Sequence, residues 1–308
     1  MASLRLATFN VENLFARWKF KEGIDPAEAN ERGWIVEEQN FEELGEEDKQ
    51  ITAAAIEELD ADVIAMQEVE SVDTLKHFRS KLLGGFPKYH FVTGIDGNDR
   101  RLIDVMVLSK LPVTHVRSYQ DRRDPIPRGR ELFSRDCLEV LIEVAPGETL
   151  TLFVNHLKSM IYTREETRPK RERQAKGVRE IVEERFGADA GKEKFAILGD
   201  FNDYLEKDDE GESGISSLVE WDQVENVVAR CPADDRWTHY YAGRNDYKQL
   251  DYILLSKSLA DANPGKPEIM RKGMPTRATR YDGPRFDGVG KDKPKASDHC
   301  PVVMEVEV

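Results

Sequence analysis

Cysteine is scarce in this chain. Three residues in 308, spread over Cys137, Cys231 and Cys300, are odd in number and too far apart for a disulfide framework or a zinc cluster. Long hydrophobic runs are also missing, and none approaches the roughly 20 residues that a membrane helix needs. Positive charge is in deficit: 45 Lys and Arg against 59 Asp and Glu give −14. Bulk electrostatics therefore oppose binding to a polyanion, which would need a local basic face or metal ions. No repeat, low-complexity tract or Gly/Ser-rich linker interrupts the chain, so residues 1–308 are expected to form one domain. The opening MASLRLATFN lacks the apolar segment of a signal peptide and reads as a strand. A soluble, cytoplasmic protein that docks on no membrane is the expectation.

What is present is a series of short apolar runs alternating with helical patterns. Leu4–Phe9, Val63–Met66, Ile103–Leu108, Val113–Val116, Cys137–Val144, Leu150–Val154, Phe195–Leu198, Tyr252–Leu255 and Val302–Val306 read as strands. Ile51, Ala55 and Leu59 recur at helical spacing, as do Leu75, Phe78 and Leu82 between Ser71 and the Gly84-Gly85 pair. A charged helix with Ala175, Val178, Val182 and Phe186 as its stripe ends at Gly187. Many strands with few helices, in mixed order, indicate an α/β protein of two packed sheets flanked by helices. Residues 22–48 carry eleven acidic residues and one Arg, the pattern of a solvated loop. Residues 158–176 and 271–295 are basic, with seven and eight Lys and Arg against three acidic residues each. Each reads either as a polyanion-facing surface or as ordinary solubilising charge.

The chemistry collects where the apolar runs stop. Asn10 follows the first run, Glu68 the second, His156 follows Leu150–Val154, and Asp200 follows Phe195–Leu198. Asp251 and Asp298-His299 stand instead at the beginnings of their runs. If those two strands run antiparallel to the others, all six termini meet at one edge, where open sheets gather ligands. Any one of these residues alone reads more readily as a turn former or a cap. The compatible set is what points to a site. Glu68, Asp200, Asp298 and Glu12 offer oxygens that suit Mg²⁺ or Mn²⁺ rather than zinc. His156, His299, Asn10 and Asn202 can donate to phosphate or hold water, and with no cysteine among them thiolate catalysis is not expected.

The segments TFNVEN (8–13), MQEVE (66–70), NHLKS (155–159), LGDFND (198–203), QLDYILLS (249–256) and SDHCPV (297–302) resemble the endonuclease/exonuclease/phosphatase superfamily, in its order and across nearly the whole chain. The resemblance implies a four-layered α/β sandwich, two mixed sheets face to face with helices outside. It also implies Mg²⁺- or Mn²⁺-dependent hydrolysis of a phosphate ester by in-line attack of water. Carried over by motif, Glu68 is the main metal ligand, with Asn10, Glu12 and Asp298 beside it. Asp200 orients or deprotonates the water, and Asn202 grips the phosphate. His299 contacts the scissile phosphate with Asp251 as its carboxylate partner, and His156 is a second catalytic histidine of the deoxyribonuclease type. Arg100, Arg101 and Arg135 read either as phosphate contacts or as ordinary surface arginines, and Lys158 is a further candidate phosphate contact. Within the family the expected substrate is nucleic acid, DNA ahead of RNA. A phosphatase of small esters is the alternative, and a catalytically silent scaffold is disfavoured because every assignable motif position is competent.

Overall fold

The structure is a computed structural model that describes residues 2–24, 36, 40–126 and 130–308. Much of the acidic run at 22–48 therefore lies outside the described residues.

Two six-stranded mixed sheets form the centre. The first holds β1 (Ser3–Leu14), β4 (Val63–Val69), β5 (Phe91–Gly94), β6 (Asp104–Ser109), β15 (Glu268–Ile269) and β16 (Val302–Glu307) in the order β15-β16-β1-β4-β6-β5. The second holds β7 (Val113–Arg117), β8 (Cys137–Ala145), β9 (Glu148–His156), β10 (Phe195–Asp200), β11 (Val224–Asn226) and β14 (Asp251–Ser256) in the order β11-β14-β10-β9-β8-β7. Two ribbons complete the strands, β2 (Trp18–Phe20) with β3 (Phe41–Glu43) and β12 (His239–Tyr241) with β13 (Asp246–Lys248).

Period-two alternation sorts each strand into an inner and an outer face. Leu4, Leu6, Val63, Ala65, Leu152, Val154, Ala196, Leu198, Ile253 and Leu255 meet between the sheets. Ala7, Phe9, Ile64 and Met66 face outward onto helices α1 (Glu46–Leu59) and α2 (Val72–Leu82) through Ile51, Ile56, Leu59, Leu75 and Phe78. On the far side Phe153, Phe195 and Ile197 pack against Ala175, Val178, Ile181 and Val182 of α3 (Arg164–Phe186). The layers thus run helix, sheet, sheet, helix, the four-layered α/β sandwich expected from the resemblance. Two short helices, α4 (Ser216–Val219) and α5 (Lys257–Ala262), close the second sheet's edge region.

The helix ends follow from local chemistry. Ser71 caps α2 by accepting from the Thr74 N–H at 3.1 Å. Thr163 caps α3 by accepting from the Glu166 N–H at 3.1 Å, and Glu165 and Glu166 sit where the helix dipole favours negative charge.

Strand direction bears out the expectation about the site edge. β1 runs parallel to β4, and β9 parallel to β10, whereas β16 is antiparallel to β1 and β14 antiparallel to β10. The ends of β1, β4, β9 and β10 and the starts of β14 and β16 therefore share one edge of the sandwich. No helix of the described residues is long and apolar enough to cross a membrane.

Candidate active site

The alternation that fills the inter-sheet core also delivers the polar cluster. Asn10 continues the inward set Leu4-Leu6-Thr8, His156 continues Leu152-Val154, Asp200 continues Ala196-Leu198, and Asp251 precedes Ile253-Leu255. The strands run further than their apolar runs, so these four residues lie within the strands and not in the loops after them. Asp200 is in register with His156 on one side and Asp251 on the other, so the three share one row of the second sheet. Gly199 makes that row feasible: a Cβ there would stand 1.9 Å from the Asn155 carbonyl oxygen of β9.

Across the gap, the Asn10 amide donates to Asp200 Oδ2 at 3.0 Å and to Glu68 Oε1 at 3.3 Å. Asn202 donates twice to Asp200, from its backbone N–H at 2.8 Å and its side-chain amide at 2.9 Å. His156 Nε2 lies 3.4 Å from Asp200 Oδ2 and 3.8 Å from Glu68 Oε1. His299 Nδ1 lies 2.8 Å from Asp251 Oδ2, and its Nε2 is 3.8 Å from Asp200 Oδ2 and 4.0 Å from Asp298 Oδ1. Glu12, Glu68 and Asn202 adopt left-handed backbone angles, φ 48°, 63° and 52°, and at Glu68 the β4 register shifts by a bulge. Such conformations cost on the order of 1–3 kcal/mol each and persist where the surroundings hold them, commonly at functional sites.

Burial and neighbours set the charges apart. Burial pushes the Asp200 carboxyl up to about 7, with His299 pulling it back and Asp251 adding to the rise. Burial opposes the His299 imidazolium, but Asp251 and Asp200 outweigh it and hold the ring well above the ordinary histidine range. His156 goes the other way: burial, then Arg135 and His299, keep it neutral. Two imidazoles in one site thus favour opposite charge states.

The remaining predicted residues are placed as follows. The Glu12 carboxylate turns to Lys295 Nζ at 2.7 Å, while its backbone N–H donates to Asn10 Oδ1 at 3.0 Å. Burial, then Asp298, raises the Glu12 pKa. Arg135 is 2% exposed, with Nε 3.2 Å from Asp99 and a guanidinium N–H donating to the Leu157 carbonyl. Arg101 also pairs with Asp99, at 2.8 Å. Lys158 stands close enough to both arginines that burial first, then Arg135 and Arg101, depress its pKa. Arg100 is exposed and shares none of these contacts. The two basic segments mostly satisfy internal partners. Arg164 and Arg171 are fully buried on Asp203, Lys170 and Arg173 hold Asp124, and Arg285 donates to the carbonyls of Met274, Ala278 and Tyr281.

His239 was not anticipated from the sequence. Its Nε2 lies 3.9 Å from Asp298 Oδ2, and its ring centroid is 4.6 Å from that of His299. Burial, then repulsion from His299, lowers its pKa to about 3. The only available signal was its place in RWTHYY (236–241), inside a strand of three residues that shows no periodicity. Its neighbour Thr238 is a clamp. The Thr238 hydroxyl accepts from the Leu250 and Asp251 N–H groups at 3.0 and 2.9 Å, and its carbonyl accepts from Cys300 N–H at 2.6 Å. Ser297 ties the other side by donating to the Asn10 carbonyl at 2.7 Å.

The family model described as "Endonuclease/Exonuclease/phosphatase family" matches residues 5–307. The chain belongs to that family. Its members hydrolyse phosphoric esters and are generally dependent on divalent metals. Solved structures of the endonuclease/exonuclease/phosphatase fold are similar along the whole chain. One from Bacteroides vulgatus is 15% identical, covers 100% of both chains and has a TM-score of 0.61. Truncated TDP2 from Caenorhabditis elegans is 16% identical over 99% of this chain and 98% of that one, at 0.58. The human Nocturnin catalytic domain, solved with a bound sulfate anion, is 16% identical over 99% and 94%, at 0.61. No curated protein sequence matches the chain.

Proposed function

We propose that the protein is a divalent-metal-dependent phosphodiesterase that cleaves nucleic acid, DNA ahead of RNA, through water activated at Asp200. The observation that carries this reading is the environment of Asp200. Its carboxylate is held by Asn10 and Asn202, and it sits between a neutral His156 and a charged His299.

A carboxyl poised near 7 is matched to accepting a proton from water at neutral pH. Asn202 keeps that carboxylate in place from its strained backbone position and presents its amide beside it. The His299 imidazolium, fixed through Nδ1 by Asp251, aims Nε2 at the space in front of Asp200, where a phosphoryl oxygen gains negative charge during in-line attack. Arg101, Arg135 and Lys158 concentrate positive charge at one side of this space, the local basic face that a chain of net charge −14 needs.

The residues present fit Mg²⁺ or Mn²⁺. Glu68, Asn10 and Asp298 offer hard oxygen donors and no thiolate, and among the described residues the Glu68 carboxylate, 19% exposed, is held at hydrogen-bond distance only by the Asn10 amide. A bound cation supplies charge neutralisation at phosphate and a lower pKa for water. A cytoplasmic location and action as one 1–308 domain belong to the same proposal.

The test compares supercoiled plasmid, single-stranded RNA and a small phosphomonoester with Mg²⁺, Mn²⁺ or EDTA. Metal-dependent nicking that disappears in Asp200→Ala is the expected result. Phosphate release from the small ester alone would overturn the nuclease reading.

A further inference from the structure

A cleft of about 700 Å³ opens beside the Asp200–His299 cluster. Residues from 160–165 at the start of α3, from 202–210 after β10, and from the β12–β13 ribbon line it. Asn202 and His239 line both the cleft and the cluster, so a group in the cleft lies next to the cluster.

Its rim is unusual for a charge-rich protein. Ile161, Tyr162 and Tyr241 are 65%, 76% and 50% exposed. Single exposed apolar side chains need no explanation, but three around one concave opening at the chemistry mark a binding surface. Charged groups stand among the rings. Arg244 pairs with Glu210 and lies 5.6 Å from the Tyr241 ring centre. Lys248 Nζ is 4.0 Å from the Tyr204 ring centre and 3.1 Å from Asp208. Lys158 Nζ lies 6.0 Å from the Tyr162 ring centre. An acyl chain would strip water from these ion pairs without replacing it. A flat, polar aromatic group finds rings to stack on and donors and acceptors at its edges.

We propose that this cleft is a subsite for the nucleobase adjacent to the scissile phosphate, with Tyr162 and Tyr241 as stacking surfaces. The inference rests on the nuclease reading above and narrows it. A base seated in this cleft and stacked on protein rings has left its duplex stack, so the substrate is single-stranded or frayed nucleic acid.

The test uses two short DNA strands, each cleavable at one labelled phosphate and protected elsewhere by phosphorothioates. One carries 2-aminopurine beside that phosphate and the other a tetrahydrofuran abasic residue. With Mg²⁺, kcat/KM should favour the base-bearing strand by about tenfold or more, the size of one base–ring stack. Tyr162→Ala and Tyr241→Ala should bring the ratio toward one, and Tyr162→Phe should restore it. Both tyrosines are exposed, so folding is not at stake. Equal cleavage of the two strands, unchanged in the variants, would overturn the inference and leave the nuclease reading intact. If neither strand is cleaved, the nuclease reading fails, and fluorescence with Asp200→Asn decides the cleft separately. Quenching of 2-aminopurine riboside 5′-monophosphate that is lost on adding Tyr162→Ala supports the subsite. Absence of quenching overturns it.

Discussion

Asp200 and Asp203 lie three residues apart in one segment, both completely buried, yet their surroundings have opposite consequences. Asp203 is fully satisfied. Arg164 Nε and the Tyr204 N–H donate to one oxygen at 2.7 and 2.9 Å, and Arg171 Nε and the Gly214 N–H donate to the other, both at 2.8 Å. The arginines spend their other donors on the carbonyls of Tyr204, Glu206, Gly211, Lys158 and on Arg164 itself. The knot pins the loop after β10 to the start of α3. Among the described residues Asp200 has no guanidinium or ammonium partner: the Asn10 and Asn202 amides and the Asn202 N–H donate to it, the His299 imidazolium stands off at 3.8 Å, and around it buried atoms such as His156 Nδ1 and Asp251 Oδ1 lack partners. A carboxylate with its charge neutralised is inert and holds the fold. One left incompletely compensated is reactive, and the fold tolerates it.

Breaking that contrast at its reactive end should give the largest effect. Asp200→Asn keeps the shape and removes the proton acceptor, so the cleavage rate should fall by about 10²–10⁴-fold, the usual contribution of a general base. Without metal, the same variant should be at least as stable as the wild type at pH 8, because burial disfavours the ionised form. The opposite pattern is expected at the inert end. Arg171→Ala strands Asp203 without one of its two guanidinium partners and should cost roughly 3–5 kcal/mol in urea unfolding. A loss below 1 kcal/mol would mean that the knot is not what pins the loop.

A third buried carboxylate sharpens the comparison. Asp104, at the start of β6, has one oxygen with no partner, and burial lifts its pKa to about 6, with Asp96, Asp99 and Asp136 adding to the rise. The folded protein therefore holds this proton more tightly than the unfolded chain. The resulting stability is complete below about pH 4 and is lost as pH rises through about 6. Asp104→Asn should stabilise the protein at pH 7.5 by no more than about 3 kcal/mol, with the advantage vanishing near pH 4 in a series of thermal melts. The smallest effect belongs to exposed charge. Glu183→Ala, which removes the i,i+4 pair with Arg179 at 2.8 Å, should change stability by less than about 0.5 kcal/mol.

The contrast also explains what could be read from the chain. Asn10, His156, Asp200 and Asp251 were legible because each stands at the end or start of an apolar run whose phase also turns its side chain toward the space between the sheets, whereas Glu68 was legible as the acid after Val63–Met66 but is placed by the bulge there and not by that phase. The helical stripes of α1, α2 and α3 were legible for the same reason of periodicity. Arg164 and Arg171 were not, since a basic helix start reads as surface unless the distant Asp203 is known to meet it. His239 was hidden because β12 is three residues long and is held by the clamp at Thr238 and by a bridge to His299, contacts that only the fold creates. The same applies to β5, β11 and β15, which are too short to carry a pattern.

The central claim is that Asp200 does the chemistry and Asp203 holds the structure. Its most direct test is the single-turnover cleavage rate per folded molecule, at saturating Mg²⁺, for Asp200→Asn and Asp203→Asn side by side. The account predicts a loss of at least about 100-fold for Asp200→Asn and a far smaller loss for Asp203→Asn, whose damage appears instead in the folded fraction. An Asp200→Asn rate within a few fold of the wild type would contradict it.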